Sequence, residues 1–148
     1  MIVVAIMGLI AAMGVPSMLQ TFRKEGMRKA VSDVLDVCAE ARTRAILGNQ
    51  TTGVVFFPQD RRFGLDGGAD SKNASSGRVT AATLPAGVEI AMLDINLQDY
   101  GGSEWARVSF YPNGTSDELT LVLHASDQWR KITLEFSTAL ATVSDVYQ

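Results

Sequence analysis

The sequence has one cysteine, one histidine and no basic residue before Arg23. A lone thiol cannot form a disulfide within its own chain, so no internal disulfide framework holds this fold. Cys38 reads instead as a small hydrophobe on a helix face. The single histidine, His124, would need suitably spaced carboxylates to build a metal site, and none are so placed. An excess of one charge is missing too: 13 Lys and Arg against 16 Asp and Glu leave a net charge of −3. Nothing global in that balance calls for nucleic acid or an anionic membrane surface. A length of 148 residues allows one domain.

Polar residues are also missing where the chain begins. From Met1 to Leu19 the only polar side chain is Ser17. As a helix this run is about 28 Å long, close to the hydrocarbon thickness of a bilayer. It belongs in lipid or against other helices. A cleaved signal peptide fits poorly, because no Lys or Arg precedes the run and no A-x-A site follows it. A plain membrane anchor fits its charges awkwardly. Arg23, Lys24, Arg28 and Lys29 all follow the run, and read alone they place the rest of the chain in the cytoplasm, unless basic residues precede Met1.

After Pro16, where a helix is expected to kink, the pattern turns amphipathic. Met27, Val31, Val34, Cys38, Ala41 and Ala45 recur at steps of three or four, with Ala30, Leu35 and Ile46 widening the stripe. Ser32, Asp33, Asp36, Glu40 and Thr43 occupy the other side. This is a helix with one buried face, stopped at Gly48-Asn49. A straight helix over 2–47 would span roughly 70 Å, more than one small globule can bury. The first half is therefore expected to project.

From Thr51 the period shortens. GVVFFP, RRFGLD, GVEIAML, ARVSFYP, ELTLVLH and WRKITLEF are strand-like runs separated by turn formers at 58–60, 85–87, 112–114 and 126–127. Leu119, Leu121 and Leu123 alternate, as do Ile132, Leu134 and Phe136, so each run is expected to bury one face. The stretch 66–77 reads as a flexible loop. The expected class is α+β: a protruding N-terminal helix whose second half packs on a small antiparallel sheet or pair of sheets. The expected parts are an apolar transmembrane half-helix at 1–20, an amphipathic helix at 21–48 and a β head at 49–148, with 21–148 one globular unit.

The segment MIVVAIMGLIAAMGVP resembles the N-terminal helix of type IV pilins and type II secretion pseudopilins, through its Val-Val-Ala-Ile run, Gly8, the Ala11-Ala12 pair and Pro16. FYPNGTSDELTLVLH, followed by WRKITLEF, resembles the C-terminal half of GspH/FimT-type minor pseudopilins. The resemblance implies a membrane and fibre-core helix carrying Ile2, Val3, Val4, Ile6, Gly8, Leu9, Ile10, Gly14, Val15 and Pro16. It implies a bacterial inner-membrane, single-pass subunit with its head in the periplasm. The implied partners are other pseudopilins or pilins through their N-terminal helices, an inner-membrane assembly platform and a prepilin peptidase. The family's basic leader, its cleavage-site Gly and the Phe and Glu that follow are absent from this sequence, and alignment on Pro16 puts the processing site upstream of Met1. No cofactor and no enzymatic activity are implied.

Other chemistry finds little support in the residues. Asp66, Asp70 and Asn73 lie in a Gly-rich stretch but lack EF-hand spacing. Asn49, Asn73 and Asn113 begin glycosylation-type triplets, a short pattern that arises by chance. Trp129, Arg130 and Lys131 are the best local candidate for nucleic acid, backed by Arg61, Arg62, Arg78 and Arg107. The acids interleaved among them favour an ordinary solvated surface. Two functions stay open: a structural subunit that initiates or caps a secretion fibre, and a pilus subunit that captures DNA.

Overall fold

The computed structural model describes residues 2–66 and 80–146, with side chains described over 25–66 and 82–146. One helix, α1 (Ile2–Gly48), precedes nine strands. These are β1 (Thr52–Phe57), β2 (Arg62–Leu65), β3 (Thr80–Thr83), β4 (Glu89–Ile95), β5 (Gln98–Asp99), β6 (Ala106–Phe110), β7 (Leu119–Ala125), β8 (Gln128–Leu134) and β9 (Ala141–Asp145). The expectations for the side chains of 1–24, including projection from the head and a kink at Pro16, lie outside the described residues. So does most of the 66–77 loop, with Asp70 and Asn73.

The strands make two antiparallel sheets, ordered β3-β2-β1-β6 and β5-β4-β7-β8-β9. The chain starts the first sheet, moves to the second for β4 and β5, returns with β6 beside β1, and ends in the second. β1 must pair with a strand about fifty residues later in the chain, as Val54 with Val108 and Phe56 with Ala106. This pairing carries a larger loop-closure cost than a hairpin does.

One core joins the helix to both sheets. Met27, Ala30, Val34, Cys38, Ala41 and Ala45 are buried. Their spacing holds one face of α1 against β1, β2, β6, β7 and β8. Three of the six are alanines, which let the helix axis approach the strands closely. Val31 and Leu35 are only partly buried at the margin of this face, and Ile46 is exposed. From the sheets come Val54, Phe56, Phe63, Phe110, Leu119, Leu121, Leu123, Ile132 and Leu134, all at or near full burial. Phe56 and Phe63 face each other across β1 and β2 with ring centroids 5.9 Å apart. Each such side chain contributes about 1.5–3 kcal/mol on leaving water.

The helix stops where Gly48-Asn49 predicts. Asn49 adopts a left-handed φ of 47°. Its N–H reaches Ile46 O at 3.4 Å, and the Gln50 N–H reaches Ala45 O at 3.2 Å. That pair of bonds is a Schellman cap, with asparagine at the position glycine usually takes.

One core expectation fails. Phe136 is 62% exposed. β8 ends at Leu134, and the chain curls through 135–140, where the Ala139 N–H donates to Glu135 O at 2.8 Å. The alternation therefore stops before Phe136 can use it. Three strands went unread. β3 (TAAT) is short, β5 has two residues, and β9 (ATVSD) mixes polar and apolar residues without a clean period.

Candidate functional site

The predicted nucleic-acid triad does not come together. Ile132 and Leu134 point into the core, so by alternation Arg130 lies on that same side of β8 while Trp129 and Lys131 lie on the outer face. Arg130 is ion-paired with Asp145, its cross-strand partner on β9. Trp129 packs against His124, also its cross-strand partner, with centroids 4.2 Å apart and the rings tilted by 33°. Lys131 stands opposite Val122. The other described arginines of the proposed basic set include two with acids beside them: Arg62 with Asp60 at 2.6 Å and Arg107 with Asp66 at 3.0 Å. Among the described bases, Arg62, Arg107 and Arg130 thus each meet an acid as a local pair.

His124 works locally. Its Nε2–H donates to Ser126 O at 2.8 Å, helping to hold the tight β7–β8 turn, where Ser126 has a φ of 56°. Among the described residues no three His, Cys, Asp or Glu side chains stand close enough together to share a metal ion. Asn113, the best placed of the triplet asparagines, is a turn residue: its Oδ1 accepts from the Thr115 N–H at 3.1 Å and the Thr115 hydroxyl at 2.7 Å.

Sequence reading missed the most connected polar group. Asp117 lies just before β7 and seals the outer edge of β6. Its N–H donates to Ser109 O at 2.8 Å, and its Oδ2 accepts from the Ser109 N–H at 2.8 Å. Its Oδ1 accepts from Asn96 Nδ2 at 3.2 Å and from the Tyr111 hydroxyl at 3.3 Å. Asn96 belongs to the β4–β5 turn and bonds back to Glu118 through backbone and side chain. One carboxylate therefore ties the edge of the first sheet to the end of the second. Partial burial, and then the Asp117 charge, hold the Tyr111 phenol above its usual pKa. No motif announces this site, because its partners come from three separate turns and strands.

Arg107 makes a second cross-strand device. Its side chain lies across β1 at Gly53 to reach Asp66, and a Cβ at Gly53 would stand 2.4 Å from Arg107 Nε. Only glycine leaves that path open. Beside it, Tyr100, Ser103, Trp105, Arg107 and Ser109 line a cleft of about 410 Å³ along β6.

Taken as a whole, the described residues form an α+β head in which one helix packs on two antiparallel sheets. Among solved structures, the chain is similar to the minor pseudopilin EpsH from the type 2 secretion system of Vibrio cholerae. The two share 17% sequence identity over 80% of this chain and 95% of that one, with a TM-score of 0.57. The fold is that of a minor pseudopilin. No family model and no curated protein matches the sequence. Among the described residues no helix is long and apolar enough to cross a membrane. The apolar run at 1–19 is not among those whose side chains are described.

Proposed function

We propose that this chain is a structural, non-catalytic minor pseudopilin of a type II secretion system, working by helix packing within a periplasmic fibre. The observation that carries this reading is the joint one: a pseudopilin head covering most of the chain, on a helix that begins with 19 almost wholly apolar residues. In this reading the apolar half-helix anchors the subunit in the inner membrane with its head in the periplasm. An assembly platform then moves it into a fibre core lined by the corresponding helices of other pseudopilins. Both surroundings are apolar and the helix satisfies its own backbone bonds, so the transfer carries no large solvation cost. A prepilin peptidase would be a partner if a full-length precursor exists.

The test is site-specific photocross-linking from Val4 and Leu9 of the full chain in its own cells. Adducts with the N-terminal helices of other fibre subunits are expected, along with loss of exported protein from the medium when the gene is deleted. A subunit that cross-links only to lipid, in cells whose secretion is unaffected by the deletion, would sink the reading. Loss of surface pili with secretion intact would move the chain to the type IV pilus. The DNA-capturing form of that alternative gains nothing from Trp129, Arg130 and Lys131, which are split between two faces of β8.

A further inference from the structure

Asparagine stands at positions 49, 73, 96 and 113, followed by Gln, Ala, Leu and Gly in turn. An asparagine amide is open to attack by the backbone nitrogen that follows it, because the ring this closes is small and unstrained. Glycine is the most permissive follower, since no Cβ shields that nitrogen or narrows its backbone angles. Asn113-Gly114 is the one such pair in the sequence. It lies at the tip of the β6–β7 connection. Tyr111 to Gly114 form a β-turn with Pro112 in its second place, closed by the Gly114 N–H donating to Tyr111 O at 3.0 Å. Gly114 holds a φ of 86°, and Asn113 is exposed to water.

The Asn113 side chain is held for this chemistry. Its Oδ1 accepts from the Thr115 N–H at 3.1 Å and from the Thr115 hydroxyl at 2.7 Å. Both donors lie one residue beyond Gly114, so they fold the amide back over the Gly114 peptide. They also polarise it: negative charge that develops on Oδ1 during attack at Cγ meets two donors already in place. One contact works the other way. The Gly114 N–H must leave Tyr111 O before its nitrogen can react. That is a single bond at an exposed turn tip, where local opening costs least.

We infer that Asn113 is a self-modification site, converting to aspartate and isoaspartate through Gly114, with Thr115 positioning the amide. The Gly114 nitrogen gives up its proton and bonds to Asn113 Cγ. The Cγ–Nδ2 bond breaks, and that nitrogen takes the proton and leaves as ammonia. Water then opens the cyclic imide, with no change of oxidation state. Opening at the Cγ carbonyl gives aspartate. Opening at the main-chain carbonyl gives isoaspartate, which adds one carbon to the backbone between 113 and 114. The connection has little slack for it. Only residues 112–114 separate Tyr111 from Thr115, whose O accepts the Tyr111 N–H at 2.9 Å. Ser116 then bridges to Phe110, and Asp117 Oδ2 accepts the Ser109 N–H. Isoaspartate therefore loosens the hold of Asp117 on β6. None of this depends on the fibre reading.

The test is incubation of the folded full chain in detergent at mildly alkaline pH, followed by peptide mapping with a fragmentation method that separates aspartate from isoaspartate. Both acids are expected at 113, formed at least about tenfold faster than acid at Asn49, Asn73 or Asn96. In heavy-oxygen water each conversion is expected to take up one labelled oxygen. Thr115→Val removes the hydroxyl donor and is expected to slow conversion about tenfold, while Thr115→Ser restores it. In urea, where the turn is gone, the three proteins are expected to convert alike. The isoaspartyl fraction is expected to exchange its Ser109 amide faster than the unmodified chain. An Asn113 that keeps its amide, or converts no faster than the other asparagines, overturns the inference, and this readout needs no variant. Equal rates for folded wild type and Thr115→Val overturn the role given to Thr115. An unchanged Ser109 amide overturns the loosening of β6.

Discussion

β6 and β9 each end a sheet, and among the described residues β6 has a following segment that folds back along its C-terminal end, whereas the described chain stops just after β9. The seal is inexpensive in sequence. Residues 115–117 fold back along the C-terminal end of β6, where a single carboxylate, Asp117, accepts the Ser109 N–H. β9 comes last in the described chain and has no following segment among those residues to fold back over it. Behind both edges lies the seam under α1, where burial is complete. It sets the upper end of the scale on which the two edges can be compared.

The largest expected effect comes from that seam. Burial pushes the Cys38 thiol up from 9.0 to about 12. In the unfolded chain the thiol ionises near its ordinary value, whereas in the fold it stays protonated. Between those two pH values the unfolded state therefore binds fewer protons, and stability falls as pH rises. The loss is roughly 1.4 kcal/mol per pH unit between about pH 9 and 12, and it is absent below that window. Urea denaturation of wild type and Cys38→Ala across this range isolates it from other titrating groups. Parallel curves for the two proteins would show that the thiol reaches water in the fold.

Opening the sealed edge comes next. Asp117→Ala strands the Ser109 N–H and releases Asn96 and the Tyr111 hydroxyl. A loss of about 2–3 kcal/mol is expected, since bonds to a charged acceptor exceed neutral ones. The Tyr111 phenol should also ionise at lower pH, readable by ultraviolet titration. An unchanged phenol titration would mean that Asp117 does not reach Tyr111 in solution.

Gly53→Ala is a smaller disturbance. The added Cβ displaces the Arg107 guanidinium from Asp66, at a cost of about 1 kcal/mol for a partly exposed pair. Thermal unfolding of Gly53→Ala with and without Asp66→Asn measures it. If the two substitutions cost the same together as the sum of each alone, the glycine is not there for the ion pair.

The smallest effect on stability is expected at β9. Ser144→Lys places a charge on an exposed position of β9 and should change stability by less than about 0.5 kcal/mol. A large loss of stability would show that Ser144 supports the fold, and the contrast between the edges would then need another explanation.

Local features of the fold were legible in advance. On α1, Met27, Val34, Cys38, Ala41 and Ala45 are buried at the spacing 3.6-residue periodicity gives, while Val31, expected on the same face, is only partly buried and Ala30 takes the buried place; the stop at Asn49 follows from cap chemistry. β1, β2, β4, β6, β7 and β8 announce themselves because β-branched and aromatic runs are bounded by turns at Pro58, Pro85, Pro112 and Ser126. Phe136 misled because alternation does not say where a strand ends. β3 and β5 were silent because they are short, and β9 because it mixes polar and apolar residues without a period.

The sequence by itself determined the helical face, the turns and the apolar start, since each depends on neighbours within a few residues and on the 3.6- or two-residue period. Only the tertiary structure decided that Trp129 and Lys131 would stand on the face opposite Arg130. Only it brought Asp117 to Ser109 and Asn96 and laid Arg107 across Gly53. Those outcomes are set by which strands become neighbours. That choice depends on the whole core at once, and no short stretch of residues encodes it.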